Sequence, residues 1–197
     1  MRGQTTGVIL AGGRGHRLDG RDKGLIRLNG RPLIEHAIAV LQPQTDALII
    51  SANRHIGIYR RYGVPVVQDK NDDYCGPLAG ILAAMQVANT PYILTLPCDC
   101  PFAPQDLAHR LWAGLQGGHY KLCLATDRHG AQPLISLIAT ALKDDLARAI
   151  AQGQRKAHTW MTSHPHCLQY FEQEDTFLNI NTFEALATAE NRYPQHK

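Results

Sequence analysis

Two glycines close an apolar run and four cations follow. Residues 7–24 read GVILAGGRGHRLDGRDKG, with Arg14, Arg17, Arg21 and Lys23 behind Gly12 and Gly13. Glycine lets backbone N–H groups approach an anion closely, and a helix start beyond the loop adds a favourable dipole. Arg17 and Lys23 then neutralise phosphate charge. Neither common phosphate loop accounts for these residues. A Walker A loop needs Gly-Lys-Ser/Thr, but Lys23 is followed by Gly24; a dinucleotide fingerprint needs a third glycine, but Gly13-x-Gly15 runs into His16-Arg17-Leu18. Further along, Asp99 stands in PCDCP, where an acid facing phosphate oxygens suits Mg²⁺, a hard ion that takes oxygen ligands. The competing role for Asp99, capping the next helix, is weakened by Pro101 and Pro104, which put that helix start further on.

The elements that must hold these residues follow from apolar periodicity. Val8-Ile9-Leu10-Ala11 reads as a strand buried on both faces, and residues 46–51, 64–69 and 92–99 read as three more. Between them, Leu33, Ile34, Ala37, Ile38 and Leu41 recur at helical spacing after Pro32, and Leu78, Ile81, Leu82 and Met85 do so after Gly76-Pro77. A helix opening at Pro104 and Asp106, strands over 121–126 and 132–138, and a stripe of Leu142, Leu146 and Ile150 complete the pattern. Asn181-Thr182-Phe183-Glu184 reads as a capping box, with Asn181 as a cap for the last helix. Alternation of strands and helices predicts an α/β fold with a mostly parallel central sheet.

In such sheets ligands sit beyond the C-terminal strand ends. Those ends carry Ala11-Gly12-Gly13, Ser51-Ala52-Asn53, Gln68-Asp69 and Pro97-Cys98-Asp99. A glycine loop, small polar groups and two carboxylates suit a nucleotide with a metal ion. Asn53 either contacts the nucleoside or holds its own turn. Asp69 is either a nucleotide contact or one of several solvated acids in the run to Asp73. Gly76-Pro77-Leu78-Ala79-Gly80 suits close approach to a base or ribose, and equally a helix start.

The 197 residues, 44% of them hydrophobic, fit one domain with a sizeable core. A net charge of +3 is too small to argue for nucleic acid and suits a small anionic ligand. Five cysteines with no Cys-x-x-Cys pair argue against a disulfide framework and for a reducing cytoplasm. His164-Pro165-His166-Cys167 lacks a second ligand pair at zinc spacing and reads as a histidine-rich surface turn. His36 and His55 read as packing or surface residues. The start MRGQTTG is not a signal peptide, and no apolar stretch approaches the ~20 residues that cross a bilayer, so a soluble protein is expected.

The opening pattern, LAGG-x-x-x-R-x-x-G-x-DK, resembles nucleotidyltransferases that consume a nucleoside triphosphate and release pyrophosphate. LNGRPLIEHA (28–37), SANRH (51–55), GPLAGI (76–81), LPCDCPF (96–102) and FLNINT (177–182) narrow the resemblance to the molybdenum cofactor guanylyltransferases, the MobA-type family. The resemblance runs from residue 7 to about 186. It implies a three-layer Rossmann-like sandwich of the nucleotide-diphospho-sugar transferase type. It implies one domain over 1–197, with a nucleotide-binding half at about 7–105 and an acceptor-binding half at about 106–190. The implied substrates are GTP and molybdopterin carrying molybdenum, with Mg²⁺ as cofactor. Lys23, Arg17 and Asp99 would be catalytic, Asp99 the metal ligand, and Leu10, Ala11, Gly12, Gly13, Lys23, Ser51, Asn53, Asp69, Gly80 and Asp99 the nucleotide site. Arg155, Lys156, Asn179 and Asn181 would lie near the acceptor.

A cytoplasmic monomer is expected, without nucleic acid or membrane, in transient contact with proteins of cofactor biosynthesis or molybdoenzyme chaperones. Three departures from the family pattern stand out. Ser51 replaces Asn, Gln132 replaces His, and Leu18-Asp19 replaces Met-Gly. The alternatives are the same chemistry on a cytidylyl or sugar-1-phosphate substrate, and a non-catalytic nucleotide-binding protein that delivers cofactor.

Overall fold

Val8 and Ile9 point to opposite faces of one strand, yet both are fully buried. A period of two with no exposed side means a sheet covered on both faces. The same holds for Ile49 with Ile50 and for Ile93 with Leu94. A computed structural model describes residues 3–12, 20–69 and 76–192, and builds the layers that these pairs require. Gly13, Arg14, Arg17, Leu18, Asp19, Asp72, Asp73 and Cys75 lie outside the described residues.

In chain order the elements are β1 (Thr5–Leu10), β2 (Arg27–Leu28), β3 (Arg31–Pro32), α1 (Leu33–Leu41), β4 (Ala47–Ser51), α2 (Ile56–Tyr59), β5 (Val66–Val67), α3 (Pro77–Val87) and β6 (Tyr92–Pro97). They continue with α4 (Leu107–Gln116), β7 (Leu122–Asp127), β8 (Gly130–Ala139), α5 (Lys143–Ala151), α6 (Ala157–Thr162), β9 (His166–Tyr170) and α7 (Phe183–Arg192). Among the described residues, seven strands form one sheet in the order β5-β4-β1-β6-β8-β7-β9. β8 alone runs against its neighbours β6 and β7, and the other pairings in that sheet are parallel.

Each face carries its own core. On one side Ile9, Ile50, Leu94 and Leu96 pack with Ile34, Ala37 and Leu41 of α1 and with Leu107, Leu111 and Leu115 of α4. On the other, Val8, Ile49, Ile93 and Leu124 pack with Leu78 and Ile81 of α3, Leu146 and Ile150 of α5, and Trp160 and Met161 of α6. The result is a three-layer α/β sandwich with a mostly parallel sheet. A smaller cluster of Ile26, Leu28, Leu33, Ile180 and Ala189 fastens α7 to the β2–β3 hairpin.

Several local details depart from the sequence reading. The cap of α7 is Thr182, whose Oγ1 accepts from the Ala185 N–H at 3.1 Å; the Asn181 side chain is committed elsewhere. The side chain of Asp106 makes no cap bond for α4. Gln44 does that work from a distant turn, accepting from the Ala108 N–H at 2.9 Å. His166 and Cys167 open the edge strand β9 instead of belonging to a surface turn, and α2 and α6 carry too few residues to display a periodicity. Among the described residues no cluster of three metal-ligating side chains exists, and no helix is long and apolar enough to cross a membrane.

Leu94 sits fully buried on the central strand β6, between the two halves of its core. Leu94→Ala should cost about 2–5 kcal/mol through lost burial and the cavity left behind. Urea unfolding would read this as a lower midpoint at an unchanged slope.

Candidate functional site

The strand register levels the site. Leu10 pairs with Ser51 on one side and with Pro97 on the other, and Ser51 pairs with Val67. Leu10, Ser51, Val67 and Pro97 therefore form one row across four parallel strands. Two residues beyond that row stand Gly12, Asn53, Asp69 and Asp99. Bonds from Ala11 N to Ser51 O (2.8 Å), Ala52 N to Val67 O (3.0 Å) and Cys98 N to Leu10 O (3.1 Å) carry the order past the strand ends.

A cavity of about 360 Å³ opens above this row. Its lining includes Leu10, Gly12, Lys23, Ser51, Asn53, Asp69, Gly80 and Asp99, together with Gly76, Pro77 and Asn179. Ala11 is not in that lining: its side chain is buried in the core below. Gly80 lies against Ser51, and a Cβ at position 80 would fall 2.5 Å from the Ser51 hydroxyl. The glycine at that helix position lets α3 run close under the strand end. Asn53 and Asp69 bind each other, through Asn53 Nδ2 to Asp69 Oδ2 at 2.7 Å and Asp69 N–H to Asn53 Oδ1 at 3.1 Å. Asn53 thus ties two strand ends together and lines the cavity.

Lys23 and Asp99 meet across the cavity floor. Lys23 Nζ donates to Asp99 Oδ2 at 2.9 Å and to the Asn181 side-chain oxygen. Asp99 is 7% exposed, and its backbone carbonyl accepts from Ile180 N–H at 2.9 Å. The late Asn-x-Asn stretch is thereby bolted to the strand end that carries the acid. Asn179 accepts from the Cys100 thiol at 3.3 Å. Arg155 spends its guanidinium on the carbonyls of Ile150 and Gln154.

Sequence reasoning missed Asp22. Its side chain is 3% exposed and accepts from His55 Nδ1 at 2.9 Å, from Gly24 N–H at 3.2 Å and from the Tyr59 hydroxyl at 2.5 Å. An acid in a charged, glycine-rich loop reads as solvated, and Tyr59 gives no local signal of pointing at it. Burial, followed by the bond to Asp22, pushes the Tyr59 hydroxyl far above its ordinary range, so it stays a donor. Burial first, and then the charge of Asp99, raises the Cys98 and Cys100 thiols well above theirs. Neither sulfur is a nucleophile at neutral pH.

A second cavity of about 420 Å³ adjoins the first. Asp127, Arg128, His129, Gln132 and Tyr170 line it, and Asn179 lines both. Gln132 Nε2 lies 3.3 Å from Asp127 Oδ1.

Comparison with known proteins fits this geometry. Residues 7–168 match the profile of the MobA-like NTP transferase domain. A curated relative from Ralstonia nicotianae, named molybdenum cofactor guanylyltransferase, is 45% identical over 92% of this chain and 93% of its own. The crystal structure of molybdopterin-guanine dinucleotide biosynthesis protein A from Archaeoglobus fulgidus superposes with a TM-score of 0.78 at 24% identity, over 95% of this chain and 97% of that one. Rv0371c of Mycobacterium tuberculosis, solved in complex with manganese, gives a TM-score of 0.73 at 18% identity, over 96% of this chain and 100% of its own. At those identities the two structures speak for a shared fold.

The raised thiols set an expectation. Iodoacetamide at pH 8 should leave Cys98 and Cys100 unmodified in the folded protein and alkylate both in urea, as read by peptide mass spectrometry. Rapid modification of either in the native state would contradict the burial described above.

Proposed function

Because the chain belongs to the MobA-like NTP transferase family, we propose that it transfers GMP from GTP to the terminal phosphate of molybdenum-bearing molybdopterin. An oxygen of that phosphate attacks the α-phosphorus of GTP. The new P–O bond forms as the bond to the β-phosphate oxygen breaks, and pyrophosphate leaves. The product is a guanine dinucleotide form of the cofactor. The attacking phosphate is already largely deprotonated near neutral pH, so no general base is required. No covalent enzyme intermediate is required either, in keeping with the raised thiols of Cys98 and Cys100. The protein's work is positioning and charge neutralisation.

Lys23 carries this reading, because its ammonium lies on Asp99 inside the strand-end cavity. We assign Lys23 and Arg17 to the phosphates, with the backbone of Gly12 and Gly13. Leu10, Ser51, Asn53, Asp69 and Gly80 are assigned to the base and ribose. Asp99 suits Mg²⁺: it is a buried carboxylate outside any cluster of three ligating side chains among the described residues, and one carboxylate can hold that ion when phosphate oxygens complete the shell. Bound there, Mg²⁺ would supply charge neutralisation to the phosphates. Lys23 then exchanges its bond to Asp99 for one to the triphosphate. The acceptor is assigned to the second cavity, a reading supported by Asn179, which lines both cavities. One domain with a nucleotide half and an acceptor half is the corresponding organisation, acting as a cytoplasmic monomer.

Pyrophosphate release with GTP and the molybdenum-loaded acceptor tests this directly, with CTP and UTP as comparisons. Asp99→Ala should lower turnover by about 10²-fold or more, the scale of one lost transition-state contact, at an unchanged melting temperature. Lys23→Ala should weaken GTP binding by roughly tenfold or more, since a hydrogen bond to a charged group is worth about 1.5–3 kcal/mol. Removing divalent metal with EDTA should stop release, and excess Mg²⁺ should restore it. Wild-type turnover by Asp99→Ala, or release from CTP but not GTP, would refute the reading.

A further inference from the structure

Lys23 is held from the residues on either side of it. Asp22 precedes it and Gly24 follows, and both touch the same tyrosine. The Tyr59 hydroxyl donates to Asp22 Oδ1, and Asp22 Oδ1 also accepts from the Gly24 N–H. A Cβ at position 24 would fall 2.4 Å from that hydroxyl oxygen. The single 3-10 turn over Lys23–Leu25 is therefore capped by Asp22 through the Gly24 N–H and sterically fitted against α2. His55, at the start of α2, supplies the second oxygen of Asp22 with its partner at 2.9 Å. Arg54 reaches the same loop, donating to the Gly20 carbonyl at 3.2 Å. Asn53, Arg54 and His55 thus tie down three separate points: Asp69, Gly20 and Asp22. The ANRH stretch fastens the loops around the cavity, which gives His55 work that its surface-residue reading did not include.

On the reading that Lys23 serves the triphosphate, we infer that Asp22 and Tyr59 are positioning residues that set where the Lys23 ammonium lies. Tyr59 is fully buried, and burial keeps its hydroxyl protonated, so it stays a donor to Asp22 beside Lys23. Neither residue lines the cavity, and neither touches the reacting atoms.

A double-mutant cycle tests this, with GTP affinity and steady-state pyrophosphate release as readouts. Tyr59→Phe keeps the ring and removes one donor to Asp22. On the wild-type background it should weaken GTP binding about three- to tenfold, the effect of one lost hydrogen bond. On the Lys23→Ala background it should add almost nothing, because the group it positions is gone. Asp22→Asn should behave in the same way and serves as the second variant if Tyr59→Phe folds poorly. Equal losses on both backgrounds would mean a general structural role, and no loss on the wild-type background would mean no role; either overturns the inference. A silent Lys23→Ala would instead overturn the phosphate assignment beneath it.

Discussion

Parallel register is the constraint on which the rest depends. Four strands from distant parts of the chain stop at one level, because Leu10 is paired at once with Ser51 and Pro97, and Ser51 with Val67. Side chains in a strand repeat every two residues, so a one-residue slip in any strand would turn its functional group to the wrong face. Burial on both faces penalises that slip heavily, since Val8 and Ile9, or Ile49 and Ile50, would have to exchange cores. The same apolar pairs that stabilise the sheet thus fix Gly12, Asn53, Asp69 and Asp99 relative to one another. Precision at the site is a by-product of the core.

Electrostatics then separates two carboxylates that sit close to one lysine. Asp22 has three donors and is almost sealed from water. A buried carboxylate left unpaired costs several kcal/mol, so those donors are obligatory and Asp22 has little capacity for another ligand. Asp99 is different. Its charged partner is Lys23, and this pair lines the cavity instead of being sealed in the core. On the proposed function, Asp99 and Lys23 exchange one another for a cation and an anion that enter this cavity, whereas Asp22 stays where the fold put it.

Much of this was legible in the sequence, for physical reasons. Strand ends announce themselves where an apolar run gives way to glycine or acid, and the α/β order follows from the alternation of periods. Asp99 in PCDCP and Lys23 behind the glycine loop were found that way. What was hidden is contact between distant segments. Asn181 reads as a helix cap from its neighbours alone, yet its side chain goes to Lys23 and Thr182 takes the cap. Asp22 reads as solvated until Tyr59 comes to it. β9, α2 and α6 are short, and β9 is an edge strand with Leu168 and Tyr170 exposed, so the usual burial pattern is missing.

The strand of the main sheet that runs against its neighbours, β8, gives the two cavities their relation. Because β8 runs against β6, the hairpin that joins it to β7 turns at Asp127, Arg128, His129 and Gly130. Asp127, Arg128 and His129 line the second cavity, beside the strand end that leads to Asp99. The Asn179-Ile180-Asn181 stretch spans the join: Ile180 bonds the Asp99 carbonyl, Asn181 takes Lys23, and Asn179 faces both spaces. A transfer between two phosphates needs both held within bonding reach while their like charges repel. On the proposed function, the parallel strand ends would seat the nucleotide and the reversed hairpin the acceptor. Asn179, polar and uncharged, lines both spaces and on that reading would add no negative charge where two phosphates approach.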